Sequence, residues 1–119
     1  MINEKYLTFV QRSLTQKNYL FSETYFVSDA YGRCVDTKSG MIESAQECKG
    51  TVSKLKKMDQ KVKWDGVIEL ENMGKNHVEG CSVSSGHGND LYRVTWNPHA
   101  SDKRDEYQLS ICVGHSTSI

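Results

Sequence analysis

No Cys-x-x-Cys pair, His-Glu-x-x-His or His-x-His occurs in this chain. Zinc clusters and dithiol redox centres are built on such close spacings, so no metal and no cofactor is expected. No run approaches 18 apolar residues, which excludes a membrane-spanning helix. There is no Asn-x-Ser/Thr acceptor, so glycosylation signals lend export no support. Nor is there a surplus of either charge: 15 basic and 15 acidic residues cancel. Broad attraction to nucleic acid or to an acidic membrane is therefore not expected. Glu4, Lys5, Gln11, Arg12, Gln16 and Lys17 interrupt the first nineteen residues, which do not form a signal peptide. A signal removed ahead of Met1 is compatible with the same sequence.

What is present points to one domain. The chain has 119 residues, 37% of them hydrophobic, enough for a modest core. Its clearest element lies at 44–58. Ser44 with Glu47 three residues on forms a capping box at a helix start. Ala45, Cys48, Val52 and Leu55 then make one apolar stripe at helical spacing. Lys49, Lys54, Lys56 and Lys57 keep off the stripe, and the last three suit the C-terminal end of the helix dipole. Gly50 weakens the helix by roughly 1 kcal/mol relative to Ala.

Ahead of it, Ile2, Tyr6, Phe9, Val10 and Leu14 recur at helical spacing and predict a helix from 3 to 13 or 15. Residues 1–18 thus form an amphipathic helix or arm, 19–114 the body, and 115–119 a fraying tail. Tyr19 to Val27 reads as a strand, followed by a turn at Asp29–Gly32 and a short strand at Arg33–Asp36. Val62 and Trp64 alternate with Lys61 and Lys63, and Asp65-Gly66 predicts a hairpin with a returning strand from Val67 to Leu70 or Glu71. A polar break covers 72–76. Gly80–Ser84, Tyr92–Trp96 and Tyr107–Val113 predict three more strands, the last two by clean alternation. Residues 85–90 and 99–106 read as loops. The expected fold is α+β: an antiparallel sheet with the 44–58 helix packed across it, an N-terminal helix, and two disulfides.

Cys34, Cys48, Cys81 and Cys112 allow three pairings if all are oxidised. Their even count and wide spacing fit two disulfides in an exported protein; four buried thiols would fit a reducing compartment. Cys48 follows Cys34 by fourteen residues, which invites a staple between the helix and the segment before it. His77, His87, His99 and His115 fall in loops or the tail with no carboxylate cluster. Ser84-Ser85-Gly86-His87-Gly88 is not a nucleophile elbow, which needs a glycine on each side of the serine. Cys112 near His115 reads more simply as a disulfide partner than as an activated thiol. Glu69 and Glu71 share one strand face, as solvated neighbours do. Lys54, Lys56, Lys57, Lys61 and Lys63 near Trp64 form a basic run that an ordinary solvated face explains, so nucleic-acid binding is not expected. Tyr92 and Trp96 belong to a core strand. Tyr31, inside its turn, is the aromatic expected to be exposed.

Ile42, Ser44, Glu47 and Cys48, followed by Gly80-Cys81, Thr95-Trp96-Asn97 and Ile111-Cys112, resemble a small cysteine-rich domain. That domain recurs in secreted or lumenal proteins of algae and dinoflagellates. The likeness runs from Cys34 to Val113. It departs from the family at Glu43, where threonine is usual, at the residues before Gly80, where proline is usual, and at the lysines and Gly50 of the helix. The resemblance implies export or an organelle lumen, Cys34–Cys48 and Cys81–Cys112 as the disulfides, and no catalytic residues.

These features favour a non-catalytic structural or protein-interaction module, a small subunit of a larger assembly. Tyr6, Phe9, Val10 and Leu14 are its candidate contacts with a protein partner. The alternative is a glycan-binding module or small enzyme using Tyr31, His87, Asn89 and His99, with the polar loop from His99 to Glu106.

Overall fold

The computed structural model describes residues 19–20, 24–28, 31–34, 40–57, 61–85 and 92–114. The expected N-terminal helix with Tyr6, Phe9, Val10 and Leu14, the loop with His87 and Asn89, and the tail lie outside the described residues.

The helix forms where its cap and stripe require it. Helix α1 spans Ala45–Lys56, with Ser44 as N-cap accepting from the Glu47 backbone N–H at 3.1 Å. The Glu47 carboxylate accepts from the Tyr25 hydroxyl at 3.0 Å, tying the first turn of α1 to the sheet. Cys48, Thr51, Val52 and Leu55 are its buried residues. Thr51 is tolerated there because its hydroxyl donates to the Cys48 carbonyl at 2.7 Å.

The strands are β1 (Tyr19–Leu20), β2 (Tyr25–Val27), β3 (Gly40–Met41), β4 (Val62–Val67), β5 (Gly80–Ser85), β6 (Tyr92–Asn97) and β7 (Gln108–Val113). A four-residue helix, α2 (Glu71–Gly74), links β4 to β5. The sheet order is β1-β2-β7-β5-β6-β4. Strand β7 is its hub. It pairs with β5 through Ser110, Leu109 and Gln108, and with β2 through Val113, Cys112 and Ile111. β3 pairs with Val113 and Cys112, beyond the reach of β5.

Alternation sorts the side chains onto two faces. Val27, Cys81, Val83, Tyr92, Val94, Leu109, Ile111 and Val62 join Ile42 and the stripe of α1 in the main core. Phe26, Cys34 and Cys112, with Met41 against them, form a smaller cluster on the opposite face.

Several expectations are corrected. First, the disulfides are Cys34–Cys112 and Cys48–Cys81, not Cys34–Cys48 and Cys81–Cys112. The reason is the period of two. Ser82 lies opposite Ser110, so Cys81 stands on the face of Ile111 while Cys112 points to the other side. Cys81 therefore meets Cys48 on the helix, and Cys112 meets Cys34 on the far face.

Second, Asp65-Gly66 is not a hairpin. β4 runs through it, parallel to β6, with a register shift between Trp64 and Gly66. Gly66 absorbs the bulge with φ of 110°. Trp64 opposite Val94 and Val67 opposite Trp96 keep both sides of the bulge in the sheet. The sheet is thus mostly, not wholly, antiparallel.

Third, Tyr19–Val27 holds two short strands, β1 and β2, paired antiparallel with Tyr19 opposite Val27. Fourth, Arg33 and Cys34 lie outside any strand, and the polar break at 72–76 contains the end of α2. Glu69 accordingly sits in a connection and Glu71 opens α2, so the two do not share a strand face.

Candidate functional site

Two surface features stand out, and the cap between β4, α2 and β6 positions the first. Ile68 continues the ladder by donating to the Trp96 carbonyl at 2.9 Å, then the chain passes over the end of β6 into α2. Buried Asn97 holds this crossing together. Its Nδ2 donates to the carbonyls of Gly74 at 2.8 Å, Val78 at 3.2 Å and His77 at 3.3 Å. Its Oδ1 accepts from the His99 backbone N–H at 3.2 Å. The His99 ring packs on Gly74, where an added Cβ would come 2.6 Å from His99 Cβ and Cγ, and its Nε2 lies 3.0 Å from the Ile68 carbonyl. His99, a loop candidate from sequence, is thus half-buried and engaged in this cap.

The cap leaves large apolar groups outside. Val67 at the end of β4 is 44% exposed, Leu70 at the N-cap of α2 60%, and Met73 within α2 50%. Leu70 and Met73, three residues apart, belong to one turn closed by Met73 N–H on the Leu70 carbonyl at 3.1 Å. Exposed Glu69 and Glu71 flank them.

The second feature lies around Asp105. Tyr31 is 54% exposed, as expected, and adopts φ of 63°. It is the one non-glycine residue with positive φ among those described. Its backbone N–H donates to the Asp105 carbonyl at 3.3 Å, and Arg104 Nη1 donates to its carbonyl at 3.3 Å. Asp105 Oδ1 accepts from the backbone N–H of Tyr107 at 2.8 Å, and Tyr107 is also 54% exposed. Arg33 forms an ion pair with Asp102 at 3.7 Å beside this loop. The fold therefore ties the backbones of Tyr31 and Tyr107 to the same residue, Asp105, and does not bring His99 to them by any described contact. Arg104 and Asp105 belong to the polar 99–106 loop that the sequence offers with Tyr31 as a ligand site; Tyr107 does not, because it fits the alternation leading into β7.

The phenol of Tyr25 is held off its ordinary acidity. Burial, then its hydrogen bond to Glu47 and the charge of that carboxylate, push its phenol up. Among the described residues no group of three or more His, Cys, Asp and Glu is arranged to hold a metal ion. No described helix is long and apolar enough to cross a membrane.

The fold thus defines a small α+β domain stapled by two disulfides. Comparison with known protein families, with curated proteins and with solved structures finds no match for the chain.

Proposed function

We propose that this domain is a non-catalytic interaction module that docks a protein partner through the rim formed by Val67, Leu70 and Met73. The carrying observation is the exposure of these three large apolar side chains within seven residues, on a turn fixed from behind by Asn97 and His99. A partner recovers the burial that the fold leaves unused, and a rigid turn loses little entropy on binding. Two buried disulfides support an oxidising setting, extracellular or lumenal. The resemblance to the algal cysteine-rich domain points the same way, although its implied pairing is not the one found. In this reading the amphipathic stripe of Tyr6, Phe9, Val10 and Leu14 adds a second contact.

The test is crosslinking in the native source with a photo-reactive residue at position 70 or 73. One protein should be captured, and Leu70→Asp with Met73→Asp should abolish capture while leaving the unfolding free energy from urea titration within about 0.5 kcal/mol of the parent. Capture unaffected by both substitutions, or turnover by the isolated chain, would refute the reading.

A further inference from the structure

From the surface around Asp105 we infer a second binding site, independent of the apolar rim: an aromatic platform for a neutral oligosaccharide. Its frame is Tyr31 and Tyr107, with Arg104, Asp105 and Asp102 around them.

The backbone of Tyr31 provides the first argument. A bulky L-residue at φ of 63° is held against its own preference, and glycine or asparagine would sit there with less strain. The position carries a ring that is 54% exposed, so the ring is not retained for the core. Strain that yields no packing points to use at the surface.

Asp105 provides the second. Its carbonyl accepts from the Tyr31 amide at 3.3 Å and its carboxylate from the Tyr107 amide at 2.8 Å. One residue thus sets both tyrosines, and their amide nitrogens lie no more than roughly 11 Å apart by these contacts and ordinary backbone dimensions. Arg104 closes the same turn by donating to the Tyr31 carbonyl at 3.3 Å. Two exposed tyrosines whose backbones are fixed to one residue lose less entropy on binding than two on free loops.

The surroundings choose the ligand class. The cores of protein interfaces are depleted in charged groups, yet this platform is set within Asp102, Lys103, Arg104, Asp105 and Glu106. Carboxylate and guanidinium groups in the loop that holds both tyrosines instead match a ligand with hydroxyls around its rim and a flat C–H face. A sugar ring has that chemistry: its C–H face lies on the negative face of an aromatic ring, and its hydroxyls exchange hydrogen bonds with neighbouring side chains. Charges of both signs around the platform favour a neutral glycan over an acidic one.

The experiment is a titration of the ¹⁵N-labelled, disulfide-intact full chain with neutral hexasaccharides of cellulose, xylan, mannan and chitin. At least one should shift the amides of Tyr31, Asp105 and Tyr107 together, with Kd between about 10 µM and 1 mM as expected for a shallow site. Tyr31→Phe should retain affinity within threefold, while Tyr107→Ala should weaken it tenfold or more.

Tyr31→Gly separates binding from structure. It relieves the positive φ, so it should raise the urea midpoint and still weaken binding tenfold or more. A merely structural tyrosine would show the first change without the second. The proposal fails if none of the four sugars shifts these amides. It fails equally if a protein captured by crosslinking protects Tyr31 and Tyr107 while the sugars leave them unmoved.

Discussion

At the scale of single residues, Asn97 carries the most structure per side chain. It is 1% exposed, and its amide serves three carbonyls of the chain crossing over β6. Asn97→Ala leaves those carbonyls without their donor and opens a small void. The expected cost is about 2–3 kcal/mol, read as a lower urea midpoint at unchanged slope. Asn97→Asp should cost more, because it places an acceptor, charged at neutral pH, against three oxygens.

Tyr25 makes a different prediction. Its phenol is raised in the folded state, chiefly by burial and then by Glu47. The neutral form is therefore favoured by folding. The stability it contributes is fully present below the unfolded value of about 10 and is lost as pH rises through the higher folded value. Urea midpoints at pH 8 and pH 11 should fall less in Tyr25→Phe than in the parent. Equal falls in the two proteins would show that Tyr25 does not set the alkaline limit.

At the scale of elements, what was legible depended on whether the signal was local. The α1 stripe of Cys48, Val52 and Leu55 could be read because a helix face is decided by neighbours three and four residues away. β6 and β7 could be read for the same reason at period two. The Asp65-Gly66 signal was equally local, and tertiary pairing overrode it. Trp64 and Val67 both gain partners on β6, so the glycine became a bulge inside β4 rather than a turn.

The cysteine pairing was half legible. The alternation of Leu109, Ile111 and Val113 already assigns Cys112 to the other face, with Ser110. What sequence could not supply was that β5 lies beside β7 in a register with Cys81 on the face of Ile111, since that contact joins distant segments. The Asn97 cap was illegible for the same reason, its partners lying 19 to 23 residues away. In sequence Asn97 stands out only through the Thr95-Trp96-Asn97 likeness, which assigns it no structural role. The Tyr31–Asp105–Tyr107 surface depends on a contact across more than seventy residues and leaves no periodic trace.

At the scale of the whole molecule, the disulfides carry a share of the stability comparable to that of an ordinary domain. Cys48–Cys81 spans 33 residues and lies within the 78-residue span of Cys34–Cys112. Chain entropy assigns the inner bridge about 3.7 kcal/mol. The outer bridge alone would be worth about 4.5 kcal/mol, but the inner one already shortens its loop, leaving about 4 kcal/mol. Together they supply roughly 8 kcal/mol, against total stabilities of about 5–15 kcal/mol for ordinary domains. Loss of one bridge is therefore expected to leave a folded domain, and loss of both to unfold it. Cys34→Ala with Cys112→Ala, and Cys48→Ala with Cys81→Ala, should each fold with lowered urea midpoints. The inner pair should lose additional packing because Cys48 and Cys81 lie in the main core, whereas Cys34 and Cys112 lie in the smaller cluster. The fully reduced chain should lose the dispersed amide spectrum of a folded protein at 25 °C and regain it on reoxidation. A reduced chain that unfolds cooperatively with several kcal/mol of residual stability would remove the physical reason for an oxidising compartment. Failure to stay folded without the bridges would instead confine the working protein to surroundings that keep both bonds closed.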